Sequence, residues 1–222
     1  GCAWGPRPVD LHLKGMEAMG IDIDLDKGYV IAKADKNLKK SSFKLEPSSV
    51  GATVNLLLAA VLRTEEFTIE NAAMEPDVVQ LCNVLVKMGA DISGIGTDRI
   101  TVRGVESLNG VEIANDPDRI EVGTFMIAGV LNPDSELTLE GCNVDHLGNL
   151  PELLSKTGAK VDVDGTTIKV KAPKELEAVS IATEVYPGFP TDMQAQWATM
   201  MTQANGVSTV TDTVYYDRFS YV

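Results

Sequence analysis

Three segments of the chain share one pattern, in which a helix-like stretch ends at a glycine and alternating, strand-like residues follow at once. They are Met19-Gly20-Ile21-Asp22-Ile23, Met88-Gly89-Ala90-Asp91-Ile92 and Thr157-Gly158-Ala159-Lys160-Val161, and their glycines stand 69 residues apart both times. A second marker, Ala59-Ala60-Val61-Leu62 against Ala128-Gly129-Val130-Leu131, has the same spacing. Two markers at one period imply a repeated supersecondary unit. Such a unit buries its apolar face against its neighbours, which restricts the chain to modular folds.

One complete unit reads as an apolar helix from about Ala52 to Arg63, a strand from Phe67 to Asn71 and a second helix from Asp77 to Met88. A hairpin closes it, Ala90 to Ser93 with Arg99 to Arg103, around Gly94-Ile95-Gly96-Thr97-Asp98. Each glycine after the second helix suits a left-handed C-cap, and Glu75-Pro76-Asp77 brings an acid and a proline to a helix start. The expected class is therefore α/β, made of α+β repeats of period 69. The next glycine of the series would fall past Val222, and the N-terminus begins shortly before a second helix. Both ends are thus expected to be truncated mid-unit, with N- and C-terminal segments of a longer parent missing and the chain alone inactive. No Pro/Gly/Ser linker separates the modules, and the polar Asn115-Asp116-Pro117-Asp118 is the best candidate boundary.

A net charge of -13, from 32 acidic and 19 basic residues, repels polyanions over most of the surface and argues against nucleic acid or an anionic membrane as partner. An anionic substrate must meet a local group of arginines. Apolar runs such as Val54 to Leu62 are too short for membrane insertion, and no basic-then-apolar segment opens the chain, so the expected location is cytoplasmic. Cys2, Cys82 and Cys142 form no C-x-x-C pair and no cluster with His12 or His146, so neither a disulfide framework nor a metal site is expected.

Three segments can carry chemistry. Cys2 lies in a loop rich in glycine and proline, with Arg7 near enough to lower its pKa, the setting of a nucleophile or proton donor or of an incidental thiol. Cys82 and Cys142 read as core or incidental residues. Pro47-Ser48-Ser49-Val50-Gly51-Ala52-Thr53 leads small residues into a helix, whose free N–H groups suit a phosphate; capping by Ser48 or Ser49 is the plain alternative. In Tyr186-Pro187-Gly188-Phe189-Pro190-Thr191-Asp192 a rigid turn delivers Asp192 to a helix start, either as an N-cap or as a base aimed at a hydroxyl. Arg7, Arg119 and Arg218 are the nearest cations in sequence, with surface charge or structural ion pairing as the default reading.

Taken in order, six motifs resemble the signature series of the UDP-N-acetylglucosamine 1-carboxyvinyltransferases, the enolpyruvyl transferases of peptidoglycan synthesis. They are the Gly1-Cys2 loop with Arg7-Pro8-Val9-Asp10-Leu11-His12, then Ser49-Val50-Gly51-Ala52-Thr53, Glu70-Asn71-Ala72-Ala73, Asp118-Arg119-Ile120-Glu121, Pro187-Gly188-Phe189-Pro190-Thr191-Asp192-Met193-Gln194-Ala195-Gln196 and Asp217-Arg218-Phe219. They span essentially the whole chain. The related shikimate-pathway enzyme shares the fold but lacks the cysteine loop and the Pro-Thr-Asp-Met-Gln-Ala-Gln run.

The resemblance implies two domains, each an inside-out α/β barrel of three repeated units, closing on substrate at their interface. Residues 1–116 would belong to the catalytic-loop domain and 117–222 to the second. It further implies transfer of the enolpyruvyl group of phosphoenolpyruvate to the 3-hydroxyl of UDP-N-acetylglucosamine, by addition and then loss of phosphate, with no metal or organic cofactor. Cys2 would be the general acid and the site of fosfomycin alkylation, and Asp192 the base. Arg7, Pro8, Val9, Asp10 and Leu11, with Ser48, Ser49, Val50 and Gly51, would hold the uridine and diphosphate. Val214 would line the nucleotide-sugar pocket, and Arg119 and Arg218 would support the interface. The family's Lys-Asn pair and an early arginine for phosphoenolpyruvate would lie upstream of Gly1, and further arginines past Val222. Pro47 and Ser48 stand where the family often has a basic residue, so only the backbone cradle is expected there. Trp4 is bulkier than expected, and nothing in the sequence explains it. A non-catalytic repeat scaffold or binding fragment, and a related enolpyruvyl transferase with another acceptor, are the competing readings.

Overall fold

In the computed structural model, which describes residues 8–34, 40–62, 65–133 and 136–222, the chain divides into two units, Gly1–Ala114 and Asn115–Val222, each with its own apolar core. The first unit opens with α1 (Asp10–Ala18) and an antiparallel hairpin of β1 (Asp22–Asp26) and β2 (Tyr29–Lys33). There follow β3 (Ser41–Lys44), α2 (Val50–Ala60), β4 (Phe67–Glu70), α3 (Pro76–Lys87), β5 (Asp91–Ser93) and β6 (Arg99–Arg103). β3 and β4 run parallel, with Ser41 opposite Phe67, because α2 carries the chain back between them. β6 lies antiparallel to β4 and β5, giving the order β3-β4-β6-β5.

The sheet's inner face follows from alternation. In β6, Ile100 and Val102 are buried while Arg99 and Arg103 are exposed. Ile100 and Val102 join Phe67 and Ile69 of β4 in a core that α2 completes with Ala52, Leu56, Leu57 and Ala60. Each large side chain so buried contributes about 1.5–3 kcal/mol. α2 begins at Val50, two residues before the expected start, because the Ser49 hydroxyl accepts from the Ala52 N–H at 3.2 Å and caps it. It ends at Ala60, and Arg63, its expected end, lies outside the described residues. β4 stops one residue short of Asn71, which adopts a left-handed φ of 53° and donates from Nδ2 to the Leu45 carbonyl at 2.7 Å.

The second unit contains α4 (Arg119–Val130), β7 (Glu136–Leu139), a 3-10 turn (Val144–Leu147), α5 (Leu150–Lys156), β8 (Lys160–Asp164) and β9 (Thr167–Lys171). It continues with β10 (Ile181–Thr183), a 3-10 turn (Thr191–Met193), α6 (Gln194–Met201) and β11 (Val210–Asp212). Asp118 caps α4, accepting from the N–H groups of Ile120 at 2.8 Å and Glu121 at 3.2 Å. β9 is the middle strand of an antiparallel trio, β7-β9-β8. β10 and β11 form a parallel pair with α6 between them, the same crossover as β3-α2-β4. α4 starts 69 residues after α2, and β7 starts 69 residues after β4. Gly20, Gly89 and Gly158 follow the last residues of their helices with φ of +91°, +107° and +90°, the left-handed geometry that lets each chain leave its helix. Among the described residues no helix is long and apolar enough to cross a membrane.

Candidate active site

The segment around Asp192 is fixed from both sides by burial. Phe189 is fully buried and meets the Trp197 ring edge-on, with centroids 5.3 Å apart, and Met193 enters the same core. The turn between Glu184 and Phe189 closes on itself: the Glu184 N–H donates to the Phe189 carbonyl and the Gly188 N–H to the Val185 carbonyl, both at 2.9 Å. Thr191 and Asp192 are thereby presented at the start of the 3-10 turn that leads into α6.

Asp192 caps no N–H, so the plain N-cap alternative does not hold. Its Oδ1 pairs with Arg218 Nη2 at 2.7 Å, while the carboxylate side chain stays 54% exposed against 26% for the arginine. Arg218 Nη1 also donates to Thr191 Oγ1 at 3.2 Å. A carboxylate oriented by an arginine yet open to solvent can accept a proton from a bound hydroxyl.

Behind this pair lies a residue that the sequence reading missed. Asp212, at the end of β11, is 5% exposed and accepts five hydrogen bonds. Its Oδ1 takes the Thr183 hydroxyl at 2.8 Å and the N–H groups of Val214 and Tyr215 at 2.9 and 2.7 Å. Its Oδ2 takes the Thr191 hydroxyl at 2.6 Å and Gln194 Nε2 at 2.9 Å. Burial pushes this carboxyl up, but the bonds from Thr191, the Tyr215 N–H, Thr183 and the Val214 N–H outweigh it and hold the group below its ordinary range. Tyr221 donates to Gln194 Oε1 at 2.9 Å, and burial, with the nearby Asp212 charge, pushes its phenol up against the pull of Arg218. Val214, whose N–H donates to Asp212, is 40% exposed.

Arg119, the first residue of α4, lies over the Tyr186 ring with its guanidinium carbon 5.9 Å from the centroid, and the Tyr186 hydroxyl donates to the Asp145 carbonyl at 2.8 Å. This side of the turn rests on Gly148, whose φ is +56° and where an added Cβ would run into the Pro187 carbonyl oxygen. Gly148→Ala is therefore expected to lower stability by about 1–3 kcal/mol, measured by urea unfolding. An unchanged midpoint would show that the turn shifts freely.

In the first unit, Cys2 and Arg7, with Trp4, lie outside the described residues. Pro8 and Val9 are exposed ahead of α1; Asp10 opens that helix and pairs with Lys14 at 3.3 Å; Leu11 packs against the core. The next residue, His12, ties this segment to α2. Its Nδ1 is 2.5 Å from Asn55 Nδ2, and its ring lies where a Cβ on Gly51 would be 3.4 Å from Cε1. The structure thus brings His12, the last residue of the Arg7–His12 motif, beside Gly51 of the Ser49-Val50-Gly51 turn. Ser49 spends its hydroxyl on the cap, whereas the N–H groups of Val50 and Gly51 have no intrahelical acceptor. Ser48 is half-buried beside them. Cys82 and Cys142 are buried, which pushes the Cys82 thiol up to about 11 and raises that of Cys142 as well. Among the described residues no group of three His, Cys, Asp or Glu could hold a metal ion.

The family model described as EPSP synthase (3-phosphoshikimate 1-carboxyvinyltransferase) matches residues 1–222. The chain is 47% identical over 222 residues to the UDP-N-acetylglucosamine 1-carboxyvinyltransferase of Desulfosudis oleivorans, covering all of this chain and 53% of that protein. It is 46% identical to UDP-N-acetylglucosamine 1-carboxyvinyltransferase 1 of Staphylococcus aureus, covering 52% of it. The chain therefore spans about half the length of these curated relatives. Among solved structures, the enolpyruvyl transferase NikO from Streptomyces tendae aligns over 97% of this chain and 54% of its own, with a TM-score of 0.85 and 26% identity. EPSP synthase from Acinetobacter baumannii aligns over 92% of this chain and 48% of its own, with a TM-score of 0.62 and 21% identity, a likeness of fold. With a family match over every residue and the α/β fold of solved enolpyruvyl transferases, the chain belongs to the EPSP synthase (3-phosphoshikimate 1-carboxyvinyltransferase) family.

Proposed function

We propose that the complete protein transfers the enolpyruvyl group of phosphoenolpyruvate to the 3-hydroxyl of UDP-N-acetylglucosamine, releasing phosphate, as the first committed step of peptidoglycan synthesis in the cytoplasm. The observation that carries this reading is the 47% identity, over all 222 residues, to a relative named for that acceptor. The two units would be parts of two domains, 1–116 and 117–222.

In this reading Asp192 takes the proton of the sugar hydroxyl as its oxygen attacks C2 of phosphoenolpyruvate, and the Cys2 thiol delivers a proton to C3. The tetrahedral adduct then loses a C3 proton and inorganic phosphate, which restores the vinyl group on the sugar. Arg7, Pro8, Val9, Asp10 and Leu11, with Ser48, Ser49, Val50 and Gly51, hold the uridine and diphosphate, and the start of α2 offers N–H groups that helix geometry leaves without partners. Val214 lines the nucleotide-sugar pocket, Arg218 holds Asp192, and Arg119, through Tyr186, steadies the turn that carries Asp192.

Phosphate release from phosphoenolpyruvate by the complete protein is expected with UDP-N-acetylglucosamine and not with shikimate 3-phosphate. The reverse preference would reassign the acceptor, and no release with either would favour a binding scaffold. Intact-mass and peptide analysis after fosfomycin is expected to show one adduct, on Cys2; a label on any other residue would remove Cys2 from the mechanism.

A further inference from the structure

Five donors from separate stretches of the second unit converge on one buried carboxylate: Thr183 of β10, Thr191 of the site turn, Gln194 at the head of α6, and the N–H groups of Val214 and Tyr215 beyond β11. An ionised carboxylate only accepts, so each donor's hydrogen is fixed in direction. The effect on Thr191 is specific. Its single hydroxyl hydrogen is committed to Asp212 Oδ2, which turns an oxygen lone pair toward Arg218 Nη1. The same guanidinium holds Asp192 Oδ1 through Nη2 at 2.7 Å. Asp212 does not touch Asp192, yet the chain Asp212, Thr191, Arg218, Asp192 is continuous in hydrogen bonds.

We propose that Asp212 is a positioning residue for the transfer reaction: its buried carboxylate sets the direction of the Thr191 hydroxyl, which seats Arg218, which in turn holds the Asp192 carboxylate toward the reacting hydroxyl. This rests on the reading of Asp192 as the base. The depressed ionisation of Asp212 keeps it an acceptor throughout the neutral range. Gln194 extends the same ordering to Tyr221, whose hydroxyl meets Oε1 because Nε2 is taken.

Asp212→Asn keeps the shape but places an NH2 where Oδ2 accepts from Thr191 and Gln194. Thr191 must then turn its hydrogen toward Arg218, and the arginine loses its acceptor. In the complete protein, Asp212→Asn is expected to lower kcat by about 10- to 100-fold, the order seen when a reacting group is displaced by about 1 Å, with KM for both substrates little changed. Thr191→Val, which leaves the other four donors of Asp212 in place, is expected to behave alike, and Thr191→Ser, which keeps the hydroxyl, to restore turnover. If Asp212→Asn fails to fold, the two Thr191 variants decide.

The decisive readout is a double-mutant cycle with Asp192→Asn. In that background Asp212→Asn and Thr191→Val are expected to cost no more than about twofold further in kcat, the scatter of uncoupled changes. A full loss in both backgrounds, or wild-type kcat in Thr191→Val, overturns the positioning role while leaving Asp192 as the base. Wild-type turnover in Asp192→Asn alone overturns the base assignment, and this inference with it.

Discussion

Asp192→Asn in the complete protein is expected to lower kcat by about 10²–10⁴-fold, the range that a positioned general base contributes. The amide oxygen still accepts from Arg218 Nη2, now 2.7 Å from Oδ1, so the turn keeps its geometry. Only the proton acceptor is lost. For that reason KM for both substrates should move far less than kcat, the signature of an interaction made in the transition state and not in the ground state. Steady-state phosphate release reads both constants. A large rise in KM with kcat intact would make Asp192 a sugar-binding residue only.

Trp197→Ala is expected to destabilise the protein by about 3–5 kcal/mol, the cost of emptying a large aromatic site in a packed core. The indole is fully buried, touches Phe189 edge-on and donates from Nε1 to the Val179 carbonyl at 3.1 Å. That carbonyl also accepts the Ser208 hydroxyl at 2.8 Å, so truncation leaves no orphaned acceptor and the loss is one of packing. Because Phe189 anchors the turn that presents Asp192, turnover is expected to fall along with the urea midpoint. A loss below about 1 kcal/mol would mean that the core refills the space, as a surface-like site does.

The sequence revealed what depends on neighbours along the chain. Ser49 as a helix start, Gly89 as a helix exit and the alternation in Arg99–Arg103 are local chemistry, and each is found where its pattern points. Motif order singled out Asp192 and Arg218 as candidates, but not the ion pair between them, which depends on a chain reversal across α6 and β11. Asp212 was illegible for the same reason. An acid among threonines at a strand end reads as a solvated terminus, and only the folded unit gathers five donors around it. Helix continuity also escapes the pattern: α3 runs unbroken for 12 residues, whereas the chain around Gly148 and Pro151 splits into a 3-10 turn and the 7-residue α5.

The two parallel crossovers differ in one respect. Between β3 and α2 the connection is residues 45–49, five in all; between β10 and α6 it is residues 184–193, ten in all, including the turn and Asp192. Doubling a connection adds only about 0.6 kcal/mol of closure entropy. An arginine-paired, solvent-facing carboxylate is thus added to an ordinary strand-helix-strand module at small thermodynamic cost, which the buried Phe189 and Met193 offset from within the longer connection. The longest strand-to-helix connection in a family of such modules is then the first place to look for its chemistry.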